Sequence, residues 1–138
     1  MSADTTHEPF GQRLSDLAEI LPDLRLLVLF GSVARGRAQS KSDVDVGLLC
    51  DGPANLDVCY VALAPRLATD RLDLVDLRHA GPLLAFEVAR TGHLLFERRP
   101  GAFREFQSLA SRRYCDTEKL RRARQRAIHV FLEREGLA

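Results

Sequence analysis

The segment from Leu29 to Leu49 reads "LFGSVARGRAQSKSDVDVGLL" and joins two apolar runs through a Gly-Ser turn and a basic loop. The runs, Arg25 to Phe30 and Val44 to Cys50, have the length and the near-continuous apolar character of strands that are buried on both faces. Asp43 and Asp45 nevertheless lie at the start of the second run. Because charge in a buried strand is costly, these carboxylates need a chemical explanation.

Apolar periodicity along the rest of the chain predicts helices and strands in alternation. The predicted helices span residues 9–21, 55–69, 82–90 and 103–135, and the predicted strands span 25–30, 44–50, 71–77 and 93–97. The inward faces of the first two helices are formed by Phe10, Leu14, Leu17 and Leu21, and by Leu56, Cys59, Leu63 and Leu67. This alternation indicates a layered α/β fold. We expect a single domain over residues 1–138, with a core of about 9–98 and a C-terminal helical arm of about 101–136.

The composition is that of a soluble globular protein, with 46% hydrophobic and 28% charged residues and a net charge of +1. No apolar run approaches the ~18 residues of a membrane span, and the N-terminus lacks the features of a signal peptide. We therefore expect a cytoplasmic protein. Its three cysteines show no C-x-x-C spacing, which favours reduced and mostly buried thiols over disulfides or a zinc site.

Three aspartates are the candidates for chemistry. Asp43 and Asp45 are two residues apart in a strand, so their side chains point to the same face. Asp73 is the only charged residue within "LDLV", and it would join them if the third strand lies beside the second. Such a trio can hold two Mg²⁺ ions about 3.5–4 Å apart, as in phosphoryl or nucleotidyl transfer. Asp76 has the opposite strand parity and is the less favoured third carboxylate.

The Gly-Ser turn supplies a place for phosphates. Gly31 allows a close approach of the backbone, and Ser32 offers a hydroxyl group at the start of a short helix. Positive charge near this turn comes from Arg35, Arg37 and Lys41. The sequence therefore predicts a site for a triphosphate chelated by Mg²⁺.

The segment "GSVARGRAQSKSDVD" resembles the signature of the polymerase-β-type nucleotidyltransferase superfamily, G-S-x-A-R-G-x5-S-D-x-D. It is most similar to the minimal nucleotidyltransferases, which include the MntA-type antitoxins. The matching residues are Gly31, Ser32, Ala34, Arg35, Gly36, Ser42, Asp43 and Asp45. The resemblance extends less sharply through "LDLVDLRHAGPLLAFEVARTGHLLFER" and covers roughly residues 26–98.

The resemblance implies a nucleotidyltransferase fold, with a mixed sheet of about four strands flanked by helices. It also implies attack on the α-phosphate of ATP with loss of pyrophosphate, in the presence of two Mg²⁺ ions. Asp43 and Asp45 would bind both metals, and Asp73 would complete the metal site and act as the base. The nucleotide would be bound by Gly31, Ser32, Arg35 and Ser42.

The short chain leaves little room for a domain that selects an acceptor, so we expect the acceptor to be a folded partner. In the MntA-type family the implied partner is a HEPN-domain ribonuclease toxin of the HepT type, inactivated by AMP transfer to a tyrosine. A second hypothesis keeps the chemistry but changes the acceptor to tRNA, an aminoglycoside or another protein. A third is a non-catalytic protein that masks its partner. Neither a membrane nor nucleic acid as a direct substrate is expected.

The C-terminal segment is rich in arginine and helical in pattern. Its spacing places Leu120, Ala123, Ala127, Val130 and Phe131 near one face. One interpretation is a solvated amphipathic helix that packs on the core. The alternative is that its basic face contacts a partner protein, a nucleic acid or the phosphates of the nucleotide.

Overall fold

A computed structural model describes residues 14–34, 36 and 43–137, without the side chains of Ser32 and Val33. The strands are β1 (Leu24–Phe30), β2 (Val44–Cys50), β3 (Leu72–Asp76) and β4 (His93–Glu97). The helices are α1 (Leu17–Ile20), α2 (Gly31–Ala34), α3 (Leu56–Arg66), α4 (Pro82–Thr91) and α5 (Ala102–Arg134). They confirm the predicted α/β fold, a four-stranded mixed sheet with flanking helices and a long C-terminal helix.

The sheet has the strand order β3-β2-β1-β4. β1 pairs antiparallel with both β2 and β4, and β2 pairs parallel with β3. The side chains from Leu26 to Leu29 are fully buried, which explains why β1 is apolar at successive positions and not only at alternate ones.

Alternate side chains of the strands enter two apolar clusters on opposite faces of the sheet. One cluster lies under α1 and α3 and includes Leu17, Leu29, Val46, Leu48, Leu63 and Leu72. The other lies under α4 and α5 and includes Leu26, Val28, Phe30, Leu77, Val88 and Phe106. Since Val44 and Val46 belong to the first cluster, Asp45 between them points to the face of α4 and α5.

The first predicted helix is only partly confirmed. Within the described residues, α1 covers four residues and follows a turn over 14–16, while residues 9–13, including Phe10, lie outside the described part of the chain. Asp16 precedes α1 without capping it, because its carboxylate accepts hydrogen bonds from Arg66 instead. Leu14, Leu17 and Leu21 are buried as predicted.

The second predicted helix needs two corrections. Asn55 caps α3 as expected, with its Oδ1 accepting from the Val58 N–H at 3.2 Å. Leu56 is not on the buried face: it is the first residue of the helix and is 39% exposed. The helix also ends at Arg66 and not near Thr69, since Ala68 adopts a left-handed conformation with φ of 54°.

The cysteines are free thiols, as predicted. Cys50 and Cys59 are buried between β2 and α3, whereas Cys115 is exposed on α5. Burial, and secondarily the neighbouring Cys59, raises the pKa of Cys50 to about 11, which keeps this thiol protonated and unreactive.

None of the helices in the described ranges has the length and apolar character needed to cross a membrane. The longest, α5, packs on the body of the protein through Ala102, Phe106 and Ala110 in its first half. Its second half is largely exposed.

Candidate active site

The candidate site lies at the end of the sheet where β1 finishes and β2 and β3 begin. The antiparallel register places Phe30, the last residue of β1, opposite Asp45. The parallel register of β2 and β3 places Asp45 opposite Asp73. Two separate strand pairings therefore fix the carboxylates next to the Gly31 turn.

Asp45 and Asp73 form a carboxylate pair. Residues in register on neighbouring strands point to the same face, and neighbouring strands are only about 4.7–4.9 Å apart. The two carboxyl groups lie close enough for the charge of Asp73 to act on Asp45. The pKa of Asp45 is raised above its ordinary value. Burial is the largest cause, followed by the charge of Asp73 and then by the charge of Asp43. The site thus holds Asp45 in an unfavourable environment for a lone carboxylate.

Asp43 is placed further out than the pair. It precedes β2 by one residue, is exposed, and acts on Asp45 through its charge. Across residues 14–34, 36 and 43–137, no three His, Cys, Asp or Glu side chains are grouped closely enough to form a preformed metal cage. The structure places Asp45 beside Asp73 and Asp43 at the rim, and the role of all three as metal ligands stays a prediction.

Asp76 is separated from this pair. It is in register with Leu48, three residues along β2 from Asp45, and therefore faces the opposite side of the sheet. Its Oδ1 accepts a hydrogen bond from the Arg78 N–H at 3.0 Å. Its charge contributes to the raised pKa values of Cys50 and Cys59, which places it beside the buried thiols. Of the two candidates for third carboxylate, Asp73 is the one beside Asp45.

Gly31 lies directly against the Asp45 carboxylate. It has a φ of +76°, and a Cβ atom built at this position would overlap Asp45 Oδ2. The sequence predicted that Gly31 allows a close approach of backbone to phosphate, but it missed this second contact. No local sequence signal could have indicated it, because it depends on the pairing of β1 with β2.

The remaining predicted nucleotide contacts cannot be placed. Arg35 and Ser42 lie outside the described residues, as do Arg37 and Lys41, and the side chain of Ser32 is not described. Their roles stay predictions.

The chemistry of the donor set fits a hard divalent cation. Carboxylate oxygens are the ligands that Mg²⁺ prefers in proteins. A cation between Asp45 and Asp73 would also relieve the repulsion that raises the pKa of Asp45. The residues present are therefore suited to a metal-dependent reaction on phosphates.

Comparison with known proteins supports the same kind of chemistry. The sequence model of the family described as "Polymerase beta, Nucleotidyltransferase" matches residues 12–100. The chain is 32% identical over 129 residues to the protein adenylyltransferase MntA of Aphanizomenon flos-aquae, covering 85% of this chain and 86% of that protein. It is also 34% identical over 83 residues to the MntA of Shewanella oneidensis, covering 58% of this chain and 59% of that protein.

The fold comparison agrees with these matches. A chain in the crystal structure of a toxin-antitoxin with AMP-PNP superimposes with a TM-score of 0.70 at 25% identity. The match covers 86% of this chain and 98% of the other. The family match spans both strands that carry the carboxylate pair, together with the Gly31 turn. The chain therefore belongs to the polymerase β nucleotidyltransferase family, and within that family it is a minimal nucleotidyltransferase of the MntA type.

Proposed function

We propose that this protein transfers AMP from ATP to a tyrosine of a cognate HEPN-domain ribonuclease toxin, and thereby acts as an antitoxin in the cytoplasm. The observation that carries the proposal is the Asp45–Asp73 pair held beside the Gly31 turn. The relatives support the choice of reaction, since the similarity to an MntA adenylyltransferase extends over most of both chains. The structural neighbour with AMP-PNP, an ATP analogue, supports the nucleotide.

Asp43, Asp45 and Asp73 would hold Mg²⁺ together with the phosphates of ATP. When bound, the metal supplies positive charge that polarises the phosphate oxygens and stabilises the leaving pyrophosphate. The half-buried Asp45 is the inner ligand in this proposal, and the exposed Asp43 completes the site from the rim.

Asp73 is proposed as the base. In the reaction, the tyrosine oxygen forms a bond to the α-phosphorus of ATP, the bond from that phosphorus to the bridging oxygen breaks, and pyrophosphate leaves. Asp73 accepts the proton of the tyrosine hydroxyl. The backbone at Gly31 and the hydroxyl of Ser32 hold the β- and γ-phosphates, and Arg35 and Ser42 bind the nucleotide.

The position of Asp73 favours a large acceptor. β3 is an edge strand of the sheet, and the Asp73 side chain is exposed. A folded protein can therefore bring a tyrosine to this carboxylate without entering a deep pocket. A protein that only masks its partner has no need to keep two repelling carboxylates in contact, which counts against the non-catalytic alternative.

The reaction is tested by comparing Asp73→Asn with Asp76→Asn. The purified protein is incubated with ATP, Mg²⁺ and a purified HEPN-domain toxin as the candidate acceptor, and the intact mass of each chain is measured. Wild-type protein should add AMP-sized increments to the partner. Asp73→Asn should lower the rate by at least about 10²-fold because the base is lost. Asp76→Asn should stay within about threefold, since its Oδ1 still accepts from Arg78.

Three results would overturn parts of this proposal. Equal losses in the two variants would remove Asp73 from the mechanism. A mass gain on tRNA or on an aminoglycoside, with none on the protein partner, would establish a different acceptor. Neutralisation of the toxin that persists in Asp43→Ala/Asp45→Ala without any mass gain would establish masking.

The raised pKa of Asp45 predicts a gain in stability when its charge is removed. At neutral pH the wild-type carboxylate is ionised and repelled, whereas in Asp45→Asn that repulsion is absent. The variant should melt at a higher temperature than wild-type protein while losing AMP transfer. Below the ordinary pKa range of aspartate the wild-type group is protonated in both folded and unfolded states, so the difference should disappear.

Thermal denaturation between pH 2.5 and pH 8 measures this effect. Saturating MgATP should raise the melting temperature of the wild-type protein more than that of Asp45→Asn. A lower melting temperature for Asp45→Asn at pH 7 would contradict the repulsion that we infer.

The contact between Gly31 and Asp45 is tested with Gly31→Ala. Gly31 and Gly36 both have positive φ, 76° and 70°, so an alanine costs about 1–2 kcal/mol at either position. Only at Gly31 does the new methyl group meet the Asp45 carboxylate; at Gly36 no atom of the described residues lies within 4 Å. Gly31→Ala should therefore lose at least about tenfold more AMP transfer than Gly36→Ala, measured with saturating MgATP on samples of equal folded fraction. Equal losses would exclude a role for this contact.

A further inference from the structure

The second half of α5 leaves an apolar face uncovered. Of its large side chains, Leu120 is 71% exposed, Val130 is 46% exposed and Phe131 is 58% exposed. Most of the stability of a helix in a protein comes from the packing of its apolar face. A covering partner would stabilise this part of α5 and remove its apolar side chains from solvent.

The exposed apolar residues follow a heptad pattern. Leu120, Ala123, Ala127, Val130 and Leu137 alternate at spacings of three and four residues, apart from Arg134 at one position. We call the surface formed by Leu120, Ala123, Ala127 and Val130 the α5 seam. A seam of this spacing receives another helix, and its small alanines allow the two backbones to approach closely.

The α5 seam is flanked by positive charge. Lys119, Arg124 and Arg126 form no ion pair within the described residues. The nearby Glu118 is already paired with Arg122 at 2.8 Å, on the side of the helix away from the seam. A helix that covers the seam would therefore be stabilised by Asp or Glu at its own flanking positions.

A second copy of this chain is a poor match for the seam. In a parallel pair of helices, Lys119 of one copy would face Arg124 of the other, because these positions are five residues apart across the seam. In an antiparallel pair centred on residue 126, Arg126 would face the Arg126 of the other copy, while Lys119 would face Glu133. The parallel pair brings like charges together and the antiparallel pair does so at its centre, which favours a different, acidic partner.

The part of α5 just before the seam is held against α4 by side-chain contacts. Tyr114 of α5 stacks on Phe86 of α4 with ring centroids 4.1 Å apart, and the Arg121 guanidinium lies 4.5 Å above the Tyr114 ring. Arg121 also donates to the Thr117 hydroxyl. These contacts hold the beginning of the exposed segment against α4, so a partner bound to the seam would have a defined orientation.

We propose that the α5 seam is the docking surface for the acceptor protein, and that it receives an amphipathic helix whose apolar face is flanked by acidic side chains. This proposal rests on the function proposed above, because it takes the HEPN-domain toxin as the acceptor. The seam increases the local concentration of the acceptor, while Asp45 and Asp73 carry out the reaction. Docking and chemistry are thus separate in the chain and can be lost separately.

The test compares Ala127→Glu with Gln125→Glu. Both substitutions add one negative charge to an exposed position of α5, but only residue 127 belongs to the seam. Binding of the purified toxin is measured by titration calorimetry, and AMP transfer is measured over a range of toxin concentrations. Ala127→Glu should raise the Kd and the KM for the toxin at least tenfold, with kcat and the KM for ATP within twofold of wild type. Gln125→Glu should change none of these values more than twofold.

A second matched pair tests the charges. Arg124→Glu should also raise the Kd at least tenfold, whereas Arg122→Glu, on the opposite side of the helix, should change it less than threefold. Circular dichroism on all four variants checks that α5 remains helical. If Ala127→Glu loses helical content, Ala127→Gln is tested in its place, because glutamine has a high helical preference and should still weaken binding.

The outcomes separate this proposal from the proposed function. Wild-type affinity in Ala127→Glu and Arg124→Glu would overturn the docking surface and leave AMP transfer intact. Seam-dependent binding without AMP transfer by wild-type protein would retain the docking surface and overturn the proposed function. The docking surface would also be overturned if the seam variants lost only self-association by light scattering, or only binding to single-stranded RNA or to phosphatidylserine vesicles.

Discussion

The parallel pairing of β2 with β3 is the constraint on which the site depends. In the observed register Asp45 faces Asp73 while Val46 faces Leu74. A shift of one residue would move Asp73 to the buried face and expose Leu72 and Leu74. The register is therefore enforced by burial of apolar side chains in the cluster under α3. One further backbone hydrogen bond extends the pairing at each end, from Val44 N–H to the Arg71 carbonyl and from Leu77 N–H to the Leu48 carbonyl. Apolar packing is what holds two carboxylates in contact.

The resulting site lowers the stability of the fold but provides the carboxylates for chemistry. Burial and the neighbouring carboxylates raise the pKa of Asp45, and the backbone at Gly31 lies directly against its carboxylate. Such an arrangement favours the binding of a cation with the phosphates of a nucleotide. The exposed Asp73 on the edge strand and the uncovered α5 seam then provide two distinct roles toward a protein acceptor, the first in the reaction and the second in docking.

Much of this arrangement could be predicted from the sequence, and the exceptions have physical reasons. β2 and β4 have their predicted bounds because each is an apolar run bordered by turn residues. Strand parity separated Asp73 from Asp76, but only the pairing of β2 with β3 places Asp73 beside Asp45. The contact of Gly31 with Asp45 and the outer position of Asp43 depend on non-local geometry, as does the exposure of Leu56, and periodicity carries no information about them.

The central claim is that the neighbouring Asp73 carboxylate, together with burial, raises the pKa of Asp45. Carboxyl ¹³C chemical shifts measured against pH, with resonances assigned by substitution, test it directly. The account predicts a pKa of Asp45 above the ordinary aspartate value, which falls toward that value in Asp73→Asn and is unchanged in Asp76→Asn. An Asp45 carboxyl that titrates at or below the ordinary value, or that does not respond to Asp73→Asn, would contradict the account.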